Sequence, residues 1–177
     1  TKTSTTSTTQ TASYFEASDL TATYDESRAS KISLQGTTAT VLGEGLTVNG
    51  STVEITKAGT YIVEGTASKV QLKVAAGKED EVQIVFKNAT LKNTEAPLLV
   101  DSAKKVILTL AEGTKNEVSD ESTSTVKGAI YSDSDLTING KGSLTVNGAA
   151  SNAIKSKDGI RIVDATVTIT AKKHGIA

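Results

Sequence analysis

The sequence predicts an all-β protein: a right-handed parallel β-helix, built from coils of about 24 residues and covered at its start by an N-terminal cap. Three observations lead to this prediction. Thr, Ser, Val, Ile, Ala and Gly dominate a chain of 177 residues that has no Cys, Met or Trp, and this composition favours strands and turns. No segment has the 3.6-residue periodicity of an amphipathic helix. Short alternating segments recur at a nearly fixed spacing in the second half.

Each coil in the second half contains three short strands, joined by turns rich in Gly, Asn, Asp, Ser and Lys. The first strand begins at Val82, Val106, Leu136 and Ile160, and consecutive starts are about 24 residues apart except for one longer gap. That gap falls in a polar stretch, residues 112–127. The other two strands recur at similar offsets, in residues 143–146 and 166–169, and in residues 128–132, 152–156 and 174–176.

Alternation within these strands predicts that one set of side chains faces a shared interior and the other faces solvent. Coils stacked about 4.8 Å apart would bury the inward Val, Ile and Leu side chains in one continuous core. Short strands with frequent turns are also typical of a β-sandwich, which is the alternative fold. The fixed period favours the β-helix.

The predicted domain covers residues 14–177. Its less regular first half supplies strands at residues 30–34, 52–55, 58–64 and 70–74, and a cap that protects the edge of the first coil. Residues 174–177 begin another coil, and no cap follows them. We therefore expect a truncated C-terminus, with an edge-to-edge dimer at this open coil as the alternative.

Residues 1–13 contain no large apolar side chain, so this Thr/Ser-rich segment is predicted to be a disordered tether. Such tethers separate secreted domains from their anchors. We therefore predict an extracellular, cell-surface protein that is attached as a lipoprotein through this segment, after removal of a signal segment. A net charge of −1 without a basic patch argues against a nucleic-acid partner. No apolar run approaches the roughly 20 residues of a transmembrane helix.

Several segments resemble a known family: VNGSTVEITKAGTY (residues 48–61), DLTING (135–140), GSLTVNG (142–148) and NAIKSKD (152–158). They are similar to signature segments of the bacterial carbohydrate-binding domain-containing proteins, and the resemblance extends from about residue 14 onward. It implies a calcium-containing parallel β-helix, similar in shape to pectate lyases, that binds cellulose or polygalacturonate without demonstrated cleavage. The chain departs from the family at Lys173 and His174, where two Asp are usual, and this weakens any calcium site there.

Calcium prefers about six to eight oxygen ligands, and equivalent turns of stacked coils align carboxylates that are distant in sequence. The candidate ligands are Asp101, Asp133, Asp135, Asn152 and Asp158. Asp and Asn also favour ordinary solvated turns, which is the alternative interpretation. The polar stretch 112–127, which contains Glu117, Asp120 and Glu121, is either a calcium loop or binding lip or, as we favour, a mobile excursion.

The candidate carbohydrate-binding residues are Tyr131, Lys155, Lys157 and Arg161. Lys and Arg pair with carboxylates such as those of uronates, and Tyr131 is the best-placed aromatic residue for contact with a sugar ring. Non-catalytic binding of an acidic or plant-type polysaccharide is the favoured function. The alternatives are a pectate-lyase-like enzyme, with a Lys or Arg base, and a structural adhesin or spacer that binds another protein. We assign no catalytic residue.

Overall fold

The computed structural model describes residues 2–7 and 16–177. These residues form an all-β structure with one 3₁₀ turn, Ala17–Leu20, and no α-helix within the described ranges. The strands are β1 Lys2–Ser7, β2 Ser30–Gly36, β3 Thr38–Leu42, β4 Leu46–Asn49, β5 Thr52–Ile55, β6 Gly59–Ser68, β7 Gln71–Ala75, β8 Glu81–Lys92, β9 Leu98–Ser102, β10 Lys105–Leu110, β11 Lys115–Ser119, β12 Gly128–Ser132, β13 Asp135–Asn139, β14 Ser143–Gly148, β15 Asn152–Ser156, β16 Ile160–Val163 and β17 Thr166–Ala171.

The strands form two sheets. The large sheet runs β1-β17-β14-β11-β8-β10-β13-β16, and β2, β3 and β6 join it beside β8. The small sheet runs β15-β12-β9-β7-β5-β4. Pairing is parallel except at β1–β17, β2–β3 and β4–β5, which are antiparallel. The all-β prediction is therefore confirmed, with mixed sheets in which parallel pairs dominate.

The repeat found in the sequence corresponds to strand pairing. Val82, Val106, Leu136 and Ile160 lie side by side in register on β8, β10, β13 and β16. In the small sheet, Ile130 on β12 pairs with Ile154 on β15, and Ile154 forms a further parallel bridge to Ile176. Residues at equivalent positions of successive repeats are thus neighbours in space.

The core lies beneath the inward faces of these strands. Leu72, Leu98, Ile130 and Ile154 form a register-aligned row in the small sheet, and all four are fully buried. Phe86 of β8 is also fully buried among the aliphatic side chains of the core. Such burial contributes about 25 cal/mol for each Å² of apolar surface that is removed from water. A shift of one residue would turn these apolar side chains to the other face of the strand, so the alternating pattern stabilises this register.

The N-terminal segment differs from the prediction. Lys2–Ser7, assigned from sequence to a disordered tether, form β1, which pairs antiparallel with all six residues of β17. The backbone N–H and C=O groups of β1 pair with the edge that β17 presents. The remainder of the predicted tether, residues 1 and 8–13, lies outside the described residues, as do Tyr14 and Phe15.

The polar stretch 112–127 also differs from the favoured prediction of a mobile excursion. Lys115–Ser119 form β11, which pairs with β8 and β14 and buries Asn116 and Val118. The Asn116 side chain accepts a hydrogen bond from the Ala89 N–H and donates one to the Ser143 carbonyl, which ties three strands together. No helix within the described ranges is long and apolar enough to cross a membrane.

Candidate functional site

The outer face of the small sheet brings together most of the predicted sugar-binding residues. Lys73, Leu99, Tyr131 and Lys155 form one register-aligned row across β7, β9, β12 and β15. Their chain neighbours in the same strands are buried, so alternation turns this row outward. We call this row, together with Lys157, the Tyr131 face. Its neighbouring strands place equivalent side chains about 4.8 Å apart.

Lys157 lies beside the Tyr131 ring. Its Nζ is 5.9 Å from the ring centroid and 3.1 Å from Asp133 Oδ1. The Asp133 carboxylate and the Tyr131 hydroxyl raise the pKa of Lys157, so its ammonium group stays charged at neutral pH. Half-buried Lys155 and exposed Lys127 make no ion pair with any residue in the described part of the chain. They present cationic charge that is available to an anionic ligand.

A groove of about 390 Å³ opens beside the ring, lined by Leu99, Thr125, Val126, Lys127 and Tyr131. Glu95 holds one wall of this groove. Its Oε2 accepts hydrogen bonds from the Ser124 hydroxyl at 3.0 Å and from the N–H groups of Thr125 and Val126 at 3.0 and 3.3 Å. Burial acts to raise the pKa of Glu95, but these hydrogen bonds outweigh it and lower the pKa. The ionised Glu95 therefore keeps the loop against the Tyr131 face.

Asp120 anchors the start of the same loop and is 5% exposed. Its Oδ1 accepts a 2.7 Å hydrogen bond from the Ala149 N–H, whereas its Oδ2 has no hydrogen-bond partner among the described residues. Burial raises the pKa of Asp120. Hydrogen bonds from the backbone N–H groups of Ala149 and Ala150 lower this pKa but offset the effect of burial only in part, and the nearby Glu95 carboxylate raises it further.

The raised pKa of Asp120 predicts that its charge weakens the fold near neutral pH. The folded state holds the Asp120 proton more tightly than the unfolded state does. The stability that this protonated carboxyl contributes is therefore fully present below a pH of about 3.9, the unfolded pKa, and is lost as the pH rises through the folded pKa. Because Asn cannot ionise, we expect the free energy of unfolding of Asp120→Asn, relative to the parent, to increase by about 1 kcal/mol between pH 4 and pH 7. Urea unfolding followed by circular dichroism at the two pH values measures this. A difference between variant and parent that is the same at both pH values would contradict the explanation.

The five predicted calcium ligands are not brought together. Asp101 pairs with Lys73 at 3.3 Å, Asp133 with Lys157, and Asp135 with Arg161 at 3.6 Å. The Asn152 side chain donates to the Lys127 carbonyl and accepts from the His174 N–H, and Asp158 is exposed. Within the described ranges, no three acidic or His side chains are arranged to hold a metal ion. These residues therefore do not fit a calcium site as they stand.

Arg161 lies apart from the other predicted sugar-binding residues. It belongs to β16 of the large sheet, because the turn after β15 takes the chain from one sheet to the other. Its Nε lies 3.7 Å from Asp19 Oδ2, and Asp19 is also 2.9 Å from Lys105 Nζ. Burial acts to raise the pKa of Asp19, but hydrogen bonds from Thr137 and Lys105 outweigh it and lower the pKa. Sequence reasoning gave no role to Asp19 or Lys105.

Six residues of the Tyr131 face and its groove were missed from the sequence: Lys73, Glu95, Leu99, Thr125, Val126 and Lys127. A signal for Lys73 and Leu99 existed, since alternation in β7 and β9 places them outward. The other four stand in loops, where no periodicity indicates which side chains face a site.

Comparisons with known proteins identify the family. The family model described as carbohydrate-binding domain-containing protein matches residues 49–177. A protein of that description from Acetivibrio thermocellus is 36% identical over 137 residues, which cover 72% of this chain and 48% of the relative, so the chain spans about half of its length. A solved structure titled as a polysaccharide lyase-like protein from C. thermocellum, in a gadolinium derivative, is 33% identical with a TM-score of 0.73. That match covers 76% of this chain and 58% of the solved one.

Proposed function

Because the chain belongs to the carbohydrate-binding domain-containing protein family, we propose that it binds an acidic polysaccharide on the Tyr131 face without cleaving it. The single observation that supports this most is the row in which Leu99, Tyr131 and Lys155 lie side by side. An aromatic and an aliphatic side chain give an apolar platform for a sugar ring, and the adjacent ammonium groups meet its carboxylate.

The shape of the face suits a linear polymer. The row runs across four strands, so a polysaccharide that lies along it meets a new side chain about every 4.8 Å. The groove beside Tyr131 adds a wall of loop backbone and the Lys127 ammonium group. Cationic contact with few aromatic side chains favours uronates over neutral glycans, for which aromatic contact would have to supply most of the affinity.

The test compares retention of the chain on polygalacturonate and on cellulose. We expect Tyr131→Ala and Lys155→Ala each to weaken polygalacturonate binding about tenfold, the equivalent of about 1.4 kcal/mol, and added salt to weaken it further. Lys115→Ala is the matched control, because it removes an exposed Lys from a strand of the large sheet. Two variants that bind like the Lys115→Ala control would contradict the assignment of the site.

The same experiment separates the other functions. Absorbance of unsaturated uronate during the incubation would identify a lyase and contradict the non-catalytic proposal. Comparing retention in EDTA with retention in calcium tests the calcium prediction, which unchanged binding would contradict. Absence of retention on any acidic glycan, combined with capture of a protein partner, would favour the adhesin or spacer.

Three further predictions, on the fold, the cellular location and the oligomeric state, accompany this function. We propose that the stacked parallel strands wind as a right-handed parallel β-helix, which an experimental structure of the chain tests through the hand of its coils. We propose an extracellular, lipoprotein-anchored location, tested by protease treatment of intact cells. The predicted edge-to-edge dimer at the last coil is tested by sedimentation; the edge of β17 is paired with β1 here.

A further inference from the structure

A short acidic segment lies across the outer face of the large sheet. We call residues 16–23 the strap. Glu16 Oε2 lies 2.6 Å from Lys105 Nζ, and Asp19 contacts Lys105, Thr137 and Arg161. The strap thus lies over β10, β13 and β16, and its two carboxylates are placed on the two cations of that face.

The backbone of the strap is bound by polar side chains of the sheet. Asn139 Nδ2 donates to the carbonyls of Asp19 and Thr21, and Gln83 Nε2 donates to the carbonyl of Thr23. The sheet therefore offers a set of outward donors, Gln83, Lys105, Thr137, Asn139 and Arg161, together with two outward carboxylates, Glu81 and Asp135, which lie in register on either side of Lys105. Carboxylates and oxygen acceptors along an extended chain satisfy this set, and an acidic polysaccharide carries the same groups.

The chain after the strap is attached differently. Tyr24 and Ala29 pack on the apolar outward side chains of Ile62 and Val85. Apolar packing of this kind anchors the segment, whereas the strap itself is held by hydrogen bonds and ion pairs that a competing anion can replace. Tyr24 therefore fixes the C-terminal end of the strap on the sheet.

Open space continues along the sheet on both sides of the strap. A groove of about 270 Å³ lies on the β8 side, lined by Ser18, Glu81, Gln83 and Ile107 among others. A groove of about 370 Å³ lies on the β13–β16 side, where Leu20, Asn139 and Lys141 face it. A linear ligand that replaced the strap would have room to extend in both directions.

We propose that the outer face of β8, β10, β13 and β16 is a second binding surface for an acidic polysaccharide, and that the strap occupies it as an internal competitor. Lys105 is 2% exposed under the strap, so it is inaccessible to a ligand until the strap lifts. Arg161 contributes the second cation; its Nη1 forms an ion pair with Asp135 Oδ2 at 3.6 Å and makes no hydrogen bond to any described residue. This surface lies on the other sheet from Tyr131 and does not depend on the Tyr131 face.

The test begins from Tyr131→Ala/Lys155→Ala, in which the first site is removed. Adding Glu16→Gln/Asp19→Asn takes both carboxylates from the strap with little change of shape. We expect polygalacturonate binding to rise at least tenfold over the parent variant, and cellulose binding to stay unchanged. Adding Lys105→Met should abolish the gain. If the strap variant melts at a lower temperature and gains no binding, the strap is a structural cover only and the proposal is wrong.

Lys115→Met in the same background is the matched control for Lys105→Met, because it removes an exposed Lys from the large sheet at β11, which the strap does not contact. It should leave the gain in polygalacturonate binding unchanged. Equal loss of the gain in the Lys105→Met and Lys115→Met variants would overturn the proposal. Failure of the Tyr131 face is detected separately, by Tyr131→Ala in the chain with its strap intact.

Discussion

Replacing Gly140 by Ala is expected to lower the free energy of unfolding by about 3–5 kcal/mol. Gly140 forms the turn between β13 and β14 with a φ of +91°, a backbone conformation that residues other than glycine rarely adopt. An added Cβ would also lie inside van der Waals contact with the Leu110 carbonyl oxygen, one repeat earlier. The backbone of Leu110 cannot move aside without disturbing the parallel pairing of β10 with β8 and β13.

Gly113→Ala is the matched control for this substitution. Gly113 also has a positive φ, +76°, but a Cβ at that position meets no atom within 4 Å. It should cost only about 1–2 kcal/mol, the penalty for a left-handed conformation. Urea unfolding followed by far-ultraviolet circular dichroism measures both, since the chain has no Trp for fluorescence. Equal losses of unfolding free energy in the two variants would mean that the Leu110 backbone moves aside at no cost and that its contact with the added Cβ is not destabilising.

Phe86→Ala is expected to destabilise the protein by about 3–5 kcal/mol. Phe86 is fully buried and stands in register between Val63 of β6 and Leu110 of β10. Parallel pairing on both sides restrains these strands from closing over the cavity that the ring would leave, so the loss includes a cavity contribution as well as transfer of the ring. Thermal and urea unfolding of the variant measure it.

Leu42→Ala provides the comparison, because that side chain is 71% exposed and its loss should change stability by less than about 0.5 kcal/mol. A Phe86→Ala variant that differs from it by less than about 1 kcal/mol would show that the core collapses around the missing ring. It would also mean that the stacked strands are less rigid than their pairing indicates.

Repetition made part of the site predictable. Tyr131 and Lys155 occupy equivalent positions of consecutive repeats, and stacking places such positions side by side. Arg161, predicted together with Lys155 and Lys157, lies on β16, which belongs to the other sheet. Equivalent positions of consecutive repeats therefore predicted neighbours correctly, whereas closeness in the chain across the turn after β15 did not predict the position of Arg161.

The calcium ligands illustrate a second limit. Asp101 lies near the end of β9 and Asp133 directly follows the neighbouring β12, but Asp101 pairs with Lys73 of β7 at 3.3 Å and Asp133 with Lys157, just after β15, at 3.1 Å. Sequence spacing identifies a carboxylate, but the side chain that it pairs with depends on which charged residues the adjacent strands place beside it. The energy of a carboxylate depends on those nearest charges, and sequence spacing does not contain them.

By itself, the sequence determined the all-β class, the recurring strands and which of their side chains are buried, because alternation and the repeat are local properties that every stacked copy reinforces. Only the tertiary structure decided where the strap lies. Asp19 bonds to Thr137, 118 residues away in the chain, and no repeat links the two. Contacts of that kind depend on how the whole chain is wound, since charge and hydrogen-bond complementarity select them only after the sheets have formed.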